Sequence, residues 1–151
     1  MKKALAIAGA LVLTVIPTVS FAGHFNAKKS ELIANGNLFH ANLKKQKLSN
    51  VDISGAELRG ANLSSAFHVF AKISNTKLSN AELKKTNLIN AYLRNASLKD
   101  SDLSGAFLMN AYLRGTNLND ANLKNANLMG VNLQEGNYKN LKNCPKHLPT
   151  G

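Results

Sequence analysis

Leucine or isoleucine returns at every fifth residue from Leu38 to Leu133, and 19 of the 21 positions in the series Leu38, Leu43, Leu48 and onward to Tyr138 carry one of the two. The exceptions are His68 and Tyr138. Two residues before each centre stands Ala, Gly, Ser, Thr or Val, with Gln46 the single departure. In an extended chain residues two apart face the same way, so the small residue and the leucine point inward while the residue between them points out. Five is odd, so alternation cannot continue and each unit must bend. The last two positions of each unit are rich in Asn, Gly, Ser, Asp and Lys, most of which suit turns. The three- and four-residue apolar spacing of an amphipathic helix is not sustained. A strict short period of this kind predicts a solenoid.

Units such as Ala61-Asn62-Leu63-Ser64-Ser65, Thr116-Asn117-Leu118-Asn119-Asp120 and Ala121-Asn122-Leu123-Lys124-Asn125 resemble the pentapeptide-repeat family, whose consensus is A-[D/N]-L-x-x. The resemblance covers residues 36–140. It implies an all-β fold, a right-handed quadrilateral parallel β-helix with four units to each turn. Twenty-one units then make about five turns, and a rise of about 4.8 Å per turn gives a rod roughly 25 Å long. His68 replaces a central leucine between Leu48 and Leu88, and the expectation is a local distortion with the ring partly turned out. An open coil exposes unpaired edges at its ends. A short helix over 26–34, within an N-terminal cap at 23–35, and a C-terminal cap or tail at 141–151 are expected to cover them.

Four units per turn sort the outward residues into four sides. Immediately after the central residue only Phe39, Val69, Ile89, Met109 and Met129 are apolar, and the last four fall on one side. Phe67, Phe70 and Phe107 belong to that same side. On the adjacent side Ala91-Tyr92-Leu93-Arg94-Asn95 nearly repeats as Ala111-Tyr112-Leu113-Arg114-Gly115 one turn later. Tyr92 is thus expected over Tyr112 and Arg94 over Arg114. A multi-turn apolar stripe exceeds what monomers usually expose, and Tyr and Arg are enriched at binding hot spots. The candidate interaction face is therefore Phe67, Val69, Phe70, Ile89, Phe107, Met109 and Met129 with Tyr92, Arg94, Tyr112 and Arg114. Side-chain ladders that merely stabilise neighbouring strands are the alternative. The remaining two sides, with Lys44, Lys84, Lys124, Arg59, Lys99 and Lys139, read as ordinary solvated surface.

The segment that ends at Ala22 reads as a signal peptide: Met1-Lys2-Lys3, an apolar run from Ala4 to Ile16, and Ser20-Phe21-Ala22. This predicts export to the periplasm or beyond; an uncleaved N-terminal anchor is the other reading. The chain from Gly23 carries 17 basic and eight acidic residues, a net charge of +9. That favours an anionic partner, although solubility alone could account for it. Cys144 is the only cysteine, so no internal disulfide is available; an unpaired thiol or an intermolecular bridge remains. His24, His40, His68 and His147 share no ligand spacing. There is no phosphate loop, nucleophile motif or His–carboxylate grouping, so no enzyme activity, no cofactor and no small-molecule substrate are expected. The DNA-mimicking role of some pentapeptide-repeat proteins needs a negative rod and an intracellular site, both at odds with this chain. Export also disfavours nucleic acid. The expected function is an exported scaffold that contacts an unknown protein or a second copy, the alternative being a basic rod on an anionic envelope polymer or membrane surface.

Overall fold

The computed structural model describes residues 34–144. Each five-residue unit contributes one side of a four-sided coil, and the side is so short that a single residue bridges to its neighbours. Asn42 pairs in parallel with Asn62, Asn62 with Glu82, Glu82 with Asp102 and Asp102 with Asn122. Every bridge joins residues 20 apart, so four units close one turn. The ladder runs on to Lys142, which bridges to Asn122. Residues 26–33 of the expected helix and most of the C-terminal tail lie outside the described residues; Ala34 stands in a turn, and of the tail, Leu141 packs half-buried against the core.

The corners are built alike. The amide of Ala41 donates to the Leu38 carbonyl at 2.9 Å and that of Ala61 to Leu58 at 3.0 Å. The second of the two enclosed residues has φ near +55 to +70°, as at Asn50 (60°), Gly60 (66°) and Asn95 (57°), whereas the first does not. An i to i+3 bond with positive φ only at the third residue defines a type II turn, which explains why Asn and Gly recur there. Gly115 is held by space as well, because a Cβ would strike the side-chain oxygen of Asn95 one coil below. The consensus Asn or Asp before each leucine also gains a role. Its Oδ1 accepts the turn amide two residues on, as Asn62 does from Ser64 (3.0 Å) and Asn132 from Gln134 (2.8 Å), an Asx-type bond that fixes the corner.

Inside, the central leucines stack in four columns with the small residues between them, and Leu43, Leu58, Leu93 and Leu98 are wholly buried. Burying each such side chain contributes roughly 1.5–3 kcal/mol, which replaces the disulfides the chain lacks. Inward hydroxyls find carbonyls: Thr86 Oγ1 donates to Leu63 O at 2.9 Å and Thr116 Oγ1 to Leu93 O at 2.9 Å. His68 is different. Its ring is not turned out but entirely buried, at 0% exposure, because its central position points inward and coils stack on it from both sides; Tyr138, the other exception, stands in the last coil and is exposed.

Candidate functional site

Counting sides from the unit centred on Leu38, the third side holds the units centred on Leu48, His68, Leu88, Leu108 and Leu128, and the fourth those on Ile53, Ile73, Leu93, Leu113 and Leu133. Val69, Ile89, Met109 and Met129 follow their centres directly, so they are the first turn residues and line the corner between these two sides. The apolar row is therefore a convex ridge. Met129 is 66% exposed, whereas Val69, Ile89 and Met109 are half-buried. Phe70 occupies the second turn position of the same corner at 51% exposure, and its φ is +55°, a left-handed conformation unusual for a bulky residue.

Aromatic rings flank the ridge on both sides. Phe67 and Phe107 stand mid-way along the third side, two coils apart, and are about half exposed. Tyr92 and Tyr112 stand mid-way along the fourth, bridged to one another, with ring centroids 4.8 Å apart and planes 3° from parallel. All four occupy the position that elsewhere carries the Asn or Asp capping the turn. Among the described residues the amides of Val69, Arg94, Met109 and Arg114 accordingly lack a side-chain acceptor two residues back, unlike that of Ile89, which Asn87 caps at 3.1 Å. The same position also carries Lys47, Lys72, Lys77 and Ser97, so what distinguishes this surface is the exposed rings and not the loss of the cap.

Arg94 and Arg114 lie one corner further, between the fourth side and the first. Arg114 does not lie free under Arg94's column: its guanidinium grips Glu135, Nε to Oε2 at 2.9 Å. That hydrogen bond holds the Glu135 carboxyl below its ordinary value, with a smaller pull from the charge of Arg94. Phe39, the apolar turn residue off the ridge, is partly covered by His40 (4.1 Å between centroids) and by the Arg59 guanidinium at 5.7 Å.

A group that reads as solvated surface in the sequence lies beside the flanking rings. Lys44 and Lys45, Lys84 and Lys85, and Lys124 line the corner between the second and third sides, on the far flank of Phe67 and Phe107. The signal was present in the two adjacent-lysine pairs, which fall on the same corner two coils apart. Taken in order around the rod, cations, aromatics, apolar ridge, aromatics and cations follow one another. Lys84 is paired with Asp102 (3.5 Å) and Lys72 with Asp52 (3.7 Å), whereas Lys44, Lys45, Lys85, Lys124 and Arg94 make no ion pair among the described residues. Among those residues no group of three His, Cys, Asp or Glu side chains could hold a metal ion, and no helix is long and apolar enough to cross a membrane. Cys144 is exposed and free.

A family model for pentapeptide repeats matches eight copies over residues 37–67, 71–108 and 106–137. Among solved structures, HetL, a pentapeptide repeat protein involved in heterocyst differentiation regulation from the cyanobacterium Nostoc sp. strain PCC 7120, is similar, with a TM-score of 0.60 and 28% identity over 68% of this chain. The chain spans 57% of HetL's length. A pentapeptide repeat protein of the Arabidopsis thaliana thylakoid lumen is 25% identical over 81% of this chain and 70% of its own, with a TM-score of 0.48. Rfr23 from the cyanobacterium Cyanothece 51142 is 28% identical over 72% of this chain and 84% of its own, with a TM-score of 0.33. Among curated proteins no sequence matches significantly.

Proposed function

The chain belongs to the pentapeptide repeat family, whose fold is a right-handed quadrilateral β-helix, and on that premise we propose that it is a non-catalytic, exported scaffold that works by contact through the ridge and its flanks. The observation that carries this reading is the run of Val69, Ile89, Met109 and Met129 over four successive coils, bordered by Phe67, Phe107, Tyr92 and Tyr112. Of these residue types Met, Phe and Tyr are enriched at protein interfaces, and Tyr recurs at the positions that dominate binding energy. A protein partner is the first reading. A second copy fits poorly, because two convex ridges cannot bury one another and each brings cations on both flanks.

Replacing Ile89 and Met109 together with Lys tests the reading. Both residues are half-buried at a corner and outside the core, so the coil should persist by circular dichroism. Partner capture by cross-linking in the cell envelope should fall at least ten-fold; undiminished capture by a folded variant would rule the contact surface out. The second reading, an anionic envelope component, is favoured by the lysine corner beside Phe67 and Phe107. Export is supported by the leader-like segment 1–22, and the regulatory role of HetL is compatible with a binding scaffold of this kind.

A further inference from the structure

Deepening the second reading, and resting on the ridge as a contact surface, we propose that this rod docks lengthwise on an anionic lipid bilayer surface, with the ridge in the headgroup region and the lysine corner against lipid phosphates. The first ground is charge. The whole third side and its two bounding corners, from the Lys44 corner to the Met129 corner, contain six lysines, Lys47 among them, and no Asp or Glu. Every described carboxylate lies elsewhere: Glu57, Asp100 and Asp120 on the first side, Glu82 and Asp102 on the second, Asp52 and Glu135 on the fourth. A protein this segregated is attracted to an anionic surface in one orientation, about five-fold for each lysine in reach of the headgroups.

Shape is the second ground. The ridge and its phenylalanines form a strip about 15 Å long, and Phe67, Phe70, Phe107 and Met129, each about half exposed or more, give it an exposed apolar area on the order of 400 Å². Stable protein interfaces bury about 800 Å² per partner. A convex strip of that size needs no complementary groove when the partner is fluid. The order of residues across it is also that of an interfacial amphipathic element, with apolar residues at the deepest line, rings beside them and cations outermost. Lysine stems can lie along the surface while their ammonium groups reach phosphate, and Tyr92 and Tyr112 offer an apolar body with a polar tip at the same level.

The test is flotation of the chain from Gly23, which keeps every coil, with vesicles of equal parts phosphatidylcholine and phosphatidylglycerol, and with phosphatidylcholine alone. Binding is expected only to the anionic vesicles and should weaken at least ten-fold at high salt. Replacing Lys44, Lys45, Lys84 and Lys85 with Ser, or Ile89 and Met109 with Ser, should each weaken it at least ten-fold. Lys99→Ser/Lys139→Ser, on the corner between the first and second sides, should leave it within two-fold. Equal binding to both vesicles, or indifference to the lysine substitutions, overturns the proposal. If neither vesicle binds but the Ile89→Lys/Met109→Lys variant still loses its cross-linked partner, the lipid is wrong and the contact surface stands. If neither vesicle binds and that variant also behaves as the parent, both readings fall.

Discussion

An imidazole without a hydrogen-bond partner on either nitrogen sits in the interior of this rod. His68 occupies a central position with Leu48 one coil below, Leu88 one coil above, and Leu63 and Ile73 on the adjoining sides, all buried and none titratable. Burial pushes its pKa down from 6.5 to about 4. Below pH 6.5 the unfolded chain takes up a proton that the folded chain refuses until about pH 4, so stability is complete above that window and falls as pH drops through it. The loss is on the order of 3 kcal/mol by pH 4. Glu57 and Asp102, which burial alone would raise, are held below their ordinary values by Arg59 and by the Ser104 amide respectively. The Ser54 amide does the same for Asp52. Their contribution is lost only at still lower pH, beneath about 4.5, so the upper part of the window belongs to His68. His68→Leu should raise the melting temperature at pH 7 and flatten its decline between pH 6.5 and 4.5. Equal declines for variant and parent in thermal unfolding would refute this account. The sequence marked His68 as anomalous but not as buried, because a five-residue period reports where a backbone position points and not whether a polar ring will rotate away from it.

Among the elements, the corner at Val69 and Phe70 is the one whose residues least suit it. Phe70 adopts a left-handed φ, where a non-glycine residue costs roughly 1–2 kcal/mol, and its neighbour Phe67 cannot cap the turn. Phe70→Asn, the residue type found at Asn50, Asn90 and Asn110 of the same corner, should therefore stabilise the coil by about 1 kcal/mol in urea unfolding. A fall in stability would show that the exposed ring packs well enough to offset its strain. The position of such a corner was legible: Phe67 and Met129 are far apart in sequence, yet counting in groups of four units assigns them to one side. What was not legible is the chemistry of the commonest residue in the unit. Asn before leucine reads only as polar and outward, and its bond to the turn amide emerges once both atoms are placed. The lysines were legible as residues, Lys44, Lys84 and Lys124 reading as ordinary solvated surface, whereas their pairing with Lys45 and Lys85 at a corner bounding the apolar side emerges once the turn is placed.

For the whole molecule, register and function can be separated. Deleting the unit 71–75 removes one side, and every later unit then moves back by a quarter turn. The coil should remain, because each unit is interchangeable in the core. The ridge, however, splits, leaving Val69 and Phe70 on their corner and carrying Ile89, Met109 and Met129 to the lysine corner. Deleting the four units 91–110 removes a full turn and leaves all sides aligned. The shorter deletion should abolish the contact made by the parent protein, while the longer one should weaken it only a few-fold, both judged on variants with unchanged circular dichroism. If the two deletions weaken contact equally, continuity of the ridge is not what matters.

Because every bridge joins a residue to its counterpart one turn away, the rod also stores chain length in identical parcels. Pulled from its two ends it has no long-range cross-link to share the load, so an end coil must yield before the next one is stressed. Each turn released would add about 65–70 Å of extended chain against about 5 Å of rod. Stretched in an optical trap, the protein should lengthen in steps of roughly that size and act as an extensible tether whose stroke is counted in turns.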